Sequence, residues 1–317
     1  MSTKLVPPPY DHEIAPVFQA RHPGGTSSAG TGSLAALRQA ASTGPAVLEQ
    51  LERFHRRDEL VPANAGAAVP VSVLHRGSAP AGPVIFHTHG GGMVAGDRWS
   101  GITPFLKWVD EFDATLVTVE YRLAPEHPDP TPREDAYTAL KWAARETARG
   151  QKLFIAGQSA GGGITAGLAL MARDRGGPRI DGQLLLSPML DDRNSSVSAR
   201  QFEGTGGWDR TANTFGWDSL LGPARAQGTV SAYAAPARAA DLSGLPPTFL
   251  ECGTAEVFRD ETVAYASRLW ESGNDTELHL WAGGFHRYDQ LVPESALSEA
   301  TLGARTGWLR RRLRTDA

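Results

Sequence analysis

The stretch KLFIAGQSAGGGITAGLALMAR, residues 152–173, decides the fold. Its first half, KLFIAG, is a short apolar run without polar alternation, which reads as a strand buried on both faces. Its second half, AGGGITAGLALMAR, carries apolar residues at helical spacing. Ser159 falls on the corner between them, flanked by Gly157 and Gly161. The small neighbours have a physical role: a strained turn pushes the serine side chain out of the sheet, and a Cβ at either flank would collide with the adjoining strand or helix. A phosphate loop is excluded because no G-x-x-x-x-G-K-[ST] is present. A dinucleotide loop would use Gly161, Gly163 and Ala166, but these lie inside the helix rather than in the turn before it.

Outward from this corner, strands alternate with helical stretches from Ala67 onward. AAVPVSVLHR, GPVIFHTHG, ATLVTVEYR, KLFIAGQS, GQLLLSPML, PPTFLECGT and TELHLWAGG read as strands, and helices are expected near 131–149, 159–175, 259–272 and 294–314. That alternation predicts an α/β protein, a mostly parallel central sheet with helices on both faces. The first sixty or so residues carry no strand signal; SLAALRQA and AVLEQLERFHRRDEL read as helical, and the Gly/Ser-rich HPGGTSSAGTGS is expected to be mobile. The alternation breaks again over 192–242, which holds GGWDRTANTFGWDSLLG. The expected organisation is an N-terminal cap segment (1–65), a core (66–191 and 243–317) and a helical cap insertion (192–242). The two cap pieces would cover the carboxyl edge of the sheet, where open α/β sheets bind ligands.

With 31 Lys and Arg against 35 Asp and Glu, the formal charge is -4. No global field points to nucleic acid or an anionic membrane, so the expected partner is a small molecule. Residues 1–19 lack an apolar core of signal-peptide length and no apolar run could span a bilayer, so no membrane insertion and a cytoplasmic location are expected. The single cysteine, Cys252, excludes a disulfide framework and reads as buried filler in TFLECG. WLRRRLRT near the end reads as cations in the last turn of a helix rather than a nucleic-acid patch.

A serine hydroxyl needs a base within hydrogen-bond reach, and that base needs an orienting acid. His286, in LWAGGFHRYD, follows the last strand and so lies at the same sheet edge as Ser159. Glu256, in ECGTAEVFRDE, follows the preceding strand and is the expected acid. Asp260 is its rival, but belongs in the first turn of the next helix, whereas a loop carboxylate can aim at an imidazole. In HTHGGGM successive glycines let backbone N–H groups converge, and those of Gly91, Gly92 and Ala160 are assigned as donors to a developing oxyanion. His87 and His89 alternate on one strand face and could ligate a metal, but nothing completes a set. Structural roles are assigned to both, with His89 bracing the glycine loop; no metal and no cofactor are expected.

In these motifs the sequence resembles the hormone-sensitive-lipase branch of the α/β-hydrolases, the bacterial esterases carrying an HGGG motif. HGGG (89–92), YRLAPEHPDPTPRED (121–135), GQSAGGG (157–163), SPMLDDRN (187–194), GTAEVFRDE (253–261) and GFH (284–286) occur in order, from about Pro70 to the end. The resemblance implies an α/β-hydrolase fold with a helical cap, and hydrolysis of short-chain acyl esters through an acyl-enzyme on Ser159, with His286 as base and Glu256 as acid. It also implies structural roles for Arg122 and Glu126, and a possible homodimer through the last strand and helix. The chain departs from the family at Gln158 and Glu256, where aspartate is usual, and at Arg287 and Tyr288, which would alter the pocket rim. Met93, Trp208, Phe215 and Trp217 are further candidates for the pocket wall. The same triad could serve an amidase or acyltransferase. The fold also serves as a plant hormone receptor that has lost the catalytic histidine, but His286 is present here.

Overall fold

The apolar runs pack into the centre of a computed structural model that describes residues 5–25, 33–63, 66–77, 80–148 and 150–314. The strands are β1 (His55–Pro62), β2 (Ala68–His75), β3 (Val84–Thr88), β4 (Thr115–Val119), β5 (Leu153–Gln158), β6 (Gly182–Leu186), β7 (Thr248–Gly253) and β8 (Thr276–Trp281). They form one sheet in the order β1-β2-β4-β3-β5-β6-β7-β8. β2 is antiparallel to both neighbours, and every pair from β4 to β8 is parallel. Successive residues point to opposite faces. Phe154, Ala156, Leu184 and Leu186 accordingly enter one layer of the core, and Ile155 and Leu185 the other.

The first layer is completed by α3 (Pro45–Leu51), α4 (Thr103–Phe112) and α12 (Ala296–Leu313), through Leu51, Phe105, Trp108 and Trp308. The second is covered by α5 (Thr131–Glu146), α6 (Ala160–Asp174), α8 (Arg210–Leu221) and α10 (Arg259–Glu271). The four expected helices are all present. At the end of α12, Trp308 and Leu309 are buried while Arg311 and Arg312 pair with Glu277 and Asp275. Among the described residues no helix is long and apolar enough to cross a membrane.

The N-terminal segment needs a correction. The expected helix AVLEQLERFHRRDEL ends at Leu51, and His55–Pro62 is β1, paired antiparallel with β2 along its whole length. Residues 55–62 therefore belong to the sheet, and a strand-free cap segment running to residue 65 does not describe this chain. The cause lies in the strand's position at the edge, where charged side chains are favoured and an apolar pattern is not required. Arg56 reaches over Trp99 on one face and Arg57 over Trp142 on the other, and Arg56 and Ser72 both hydrogen-bond Asp58. Ahead of β1 lie α1 (Ala15–Arg21), a 3-10 turn at Pro23–Gly25, and α2 (Leu34–Ala41). The centre of HPGGTSSAGTGS, 26–32, lies outside the described residues.

The insertion after β6 is helical: α7 (Val197–Gln201), α8 and α9 (Pro223–Gln227), followed by a 3-10 turn at Pro236–Arg238. Asp209 caps α8 by accepting the Ala212 N–H at 2.8 Å. The short α11 (Tyr288–Leu291) follows the loop after β8.

Candidate active site

Ser159 stands between β5 and α6 in a backbone conformation that side chains rarely adopt, φ 58° and ψ -125°. Close packing holds it there. A Cβ on Gly157 would lie 2.3 Å from the Gly161 carbonyl, and one on Gly161 would lie 2.1 Å from that of Thr88. The Ser159 N–H donates to Leu186 O at 2.9 Å, and its carbonyl accepts from Gly163 and Met189. Strain at one residue is thus held by three backbone hydrogen bonds to the surrounding structure.

His286 comes from the loop after β8 and Glu256 from the loop after β7, so both reach the same edge as Ser159. The Ser159 hydroxyl donates to His286 Nε2 at 3.1 Å, and His286 Nδ1–H donates to Glu256 Oε2 at 2.5 Å. Ser159 is 5%, His286 8% and Glu256 2% exposed, so these contacts sit away from bulk water. The other oxygen of Glu256 accepts from the Cys252 thiol at 2.5 Å. Cys252 is more than filler: it fixes the carboxylate, and burial pushes its own pKa well up, which keeps the proton on sulfur. Asp260 lies in the first turn of α10 and instead accepts the Ser198 N–H at 2.7 Å.

Gly91 (φ 115°) and Gly92 (φ 63°) turn the chain directly after His89. Among the described residues, the N–H groups of Gly91, Gly92 and Ala160 have no backbone acceptor, so all three remain available to a ligand oxygen. The loop is braced from behind. The His89 ring stacks on Tyr121 with centroids 4.1 Å apart and donates from Nδ1 to Gly90 O, while the Tyr121 hydroxyl donates to His89 O. Burial pushes His89 down to about 4 and His87, hydrogen-bonded to Thr118, down to about 3, so both are neutral at pH 7. Among the described residues no three His, Cys, Asp or Glu side chains group as a metal would need.

Above Ser159 lies a cavity of about 530 Å³. Its floor is Gly90–Gly92, Gln158, Ser159 and His286, and its roof is Arg21 and His22 at the end of α1, Ala36, Leu37, Ala40 and Ala41 on α2, and Gly207 and Trp208 of the insertion. Of the six residues expected in the wall, Trp208 and Arg287 line it. The other four do not. Met93 is turned into the core beneath Gly163, Trp217 is fully buried, Phe215 points to solvent from the same helix, and Tyr288 is buried and bonded to Thr301. Helix phase decides Phe215 against Trp217, and neither side of α8 meets the cavity with an aromatic ring.

The α2 contribution was not read from the sequence. Its signal is an apolar stripe at 36, 37, 40 and 41 on a helix that has no buried residue. Arg38 fastens that helix: it pairs with both oxygens of Glu126, at 2.8 and 2.6 Å, and donates to Val94 O and Ala124 O beside the glycine loop. Arg122 holds Asp135 of α5 through two side-chain bonds, at 2.8 and 2.7 Å.

A family model described as alpha/beta hydrolase fold matches residues 85–290. Esterase LipI of Mycobacterium tuberculosis is 32% identical over 244 residues, 69% of this chain and 70% of that protein. Carboxylesterase NlhH of the same organism is 33% identical over 237 residues, again 69% of this chain and 70% of that one. The solved structure titled Bacterial Heroin Esterase superposes with a TM-score of 0.84 at 32% identity, covering 96% of this chain and 98% of its own.

Proposed function

This chain belongs to the alpha/beta hydrolase fold family, in its hormone-sensitive-lipase-like branch, and on the premise that it is a serine carboxylic-ester hydrolase we propose that Ser159 is the nucleophile, His286 the base and Glu256 the acid. One observation carries the assignment: the unbroken run of hydrogen bonds from Cys252 through Glu256 and His286 to Ser159 Oγ. Ser159 Oγ attacks the ester carbonyl as His286 Nε2 takes its proton, and Glu256 stabilises the imidazolium. Charge on the carbonyl oxygen is met by the N–H groups of Gly91, Gly92 and Ala160, each worth on the order of 3 kcal/mol of barrier. His286 returns the proton to the leaving alcohol, and water then repeats the sequence to free the acid.

The preferred substrates in this proposal have short acyl chains, because Trp208 and Leu37 roof a cavity of about 530 Å³ over Ser159. The test is turnover of 4-nitrophenyl esters from acetyl to dodecanoyl, beside Ser159→Ala and His286→Ala. Rates peaking at short chains and falling roughly ten-thousand-fold in both variants are expected. Undiminished turnover in either variant sinks the assignment, and a maximum at dodecanoyl sinks the chain-length preference.

Pairing of two copies through β8 and α12 is also proposed. It is supported by the open edge of β8, where Leu280 is exposed. A monomeric mass in light scattering at working concentration refutes it.

A further inference from the structure

We propose that the ester this cavity selects carries a carboxylate set away from the scissile bond, received by Arg287 and Arg21. The inference rests on Ser159 being the nucleophile and concerns what else the substrate must contain. Among the described residues the cavity lining holds these two arginines and no aspartate or glutamate. Such a cavity is cationic inside a protein whose net charge is negative.

Arg287 directly follows His286 and has a left-handed backbone, φ 67°, that separates its side chain from the buried Phe285 and Tyr288 on either side of the pair. Arg287 is exposed and lines the cavity, so its guanidinium is open to an incoming ligand. Its hydrogen bonds go only to a neutral group, Gln290 Oε1, at 3.1 and 2.9 Å. Gln290 in turn donates to Gln158, the residue before Ser159, so the guanidinium is fixed relative to the nucleophile. The acid nearest in sequence, Asp289, is occupied by Arg305 at 2.7 Å. Desolvation holds the Arg287 pKa below the ordinary arginine range; Asp289 opposes this, and the charge of Arg21 adds to it. An anion between the two arginines offsets their mutual repulsion.

Arg21, in the last turn of α1, has no hydrogen bond or ion pair among the described residues. A cation there is ordinary for a helix end, but that reading does not account for a second arginine, Arg287, on the lining of the same cavity. Beside it, His22 also lines the cavity. Leu37, Trp208 and Leu291 give the same lining an apolar part. Arginine forks match a carboxylate in two parallel bonds. They carry selection here, since the oxyanion is assigned to the backbone N–H groups of Gly91, Gly92 and Ala160.

The test compares matched esters that differ only in charge. On the acyl side these are mono-4-nitrophenyl adipate against 4-nitrophenyl hexanoate, and on the alcohol side 4-acetoxybenzoate against 4-acetoxybenzamide. The readout is the ratio of kcat/KM, anionic over neutral, within each of wild type, Arg287→Gln, Arg21→Gln and the double variant. A general loss of activity cancels in that ratio. In the arm whose geometry fits, the wild-type ratio is expected to exceed that of the double variant by about tenfold or more, as for a hydrogen bond to a charged group. It should also fall with added salt. Which arm responds tells which side of the ester carries the carboxylate. A wild-type ratio of one or below in both arms, or ratios unchanged in the double variant, overturns the proposal while leaving the serine assignment intact. Turnover that persists in Ser159→Ala overturns the assignment instead.

Discussion

Adding one methyl group at Gly161 tests how the elbow is held. The new Cβ would lie 2.1 Å from Thr88 O and 2.6 Å from His89 O, against 3.4 Å for an ordinary contact. More than 1 Å of separation must be recovered, and the atoms in the way are backbone of β3 and of the glycine loop, which cannot swing aside as a side chain would. Overpacking of this kind costs about 1–3 kcal/mol, and the upper end is expected here. Recovering the space moves α6 away from β3, and with it Ser159 away from the Gly91 and Gly92 N–H groups. A displacement near 1 Å costs on the order of a hundredfold in rate. Gly303→Ala is the matched control: the position is exposed within α12 and its Cβ meets nothing within 4 Å, so that change should stabilise by about 0.5–1 kcal/mol. Urea unfolding with kcat/KM on 4-nitrophenyl acetate reads both effects. If Gly161→Ala unfolds at the wild-type midpoint with undiminished turnover, packing against β3 does not set the elbow.

Glu256→Gln keeps the shape but removes the acceptor charge facing His286, and kcat should fall by roughly 10⁴ with unfolding unchanged, checked by steady-state kinetics beside circular dichroism. His87 and His89 are held neutral down to about 3 and 4, whereas unfolded histidines protonate near 6.5. Below about pH 6.5 the unfolded state therefore binds more protons, and stability falls with pH by ~1.4 kcal/mol per unit for each, until the folded values are reached. His87→Phe should remove one such contribution between pH 6 and 4; a slope equal to the wild type's in urea titrations contradicts this. Arg305→Met leaves the carboxylates of Glu251 and Asp289 buried without their cation, with an expected loss of about 3–5 kcal/mol by denaturant unfolding. Unchanged stability would mean that both acids take up protons at no cost.

Seven strands and the four helices between and after them were legible because their apolar residues must face one or two buried layers, and that requirement is written locally. β1 was not, because an edge strand made of HRRDEL satisfies its backbone by pairing with β2, a partner that no local pattern announces. α4 went unnoticed between β3 and β4, although Phe105, Leu106, Trp108 and Val109 share one face. Ser159, His286 and Glu256 come together because each follows a parallel strand, a rule of topology rather than of composition. The wall of the cavity was the least legible part. Whether Trp208 or Trp217 meets the ligand depends on how the insertion packs, and the bond from Cys252 to Glu256 requires that a strand and the loop after it fold back on one another.

The roof of the cavity comes from residues 21–22, 36–41 and 207–208, and its reactive floor from loops after β3, β5 and β8. The chemistry and the roof are therefore written in separate stretches of one chain, with Arg287, beside His286, as the one selecting residue on the reactive side. The floor is crowded with backbone contacts that forbid even a methyl group, while α2 buries no residue and is fastened through Arg38 to Glu126, Val94 O and Ala124 O and through its Ala41 carbonyl to Ser100. Exchange of the roof between relatives, by substitution or by grafting whole segments, is the route by which this catalyst would acquire new substrates without relearning how to cleave them.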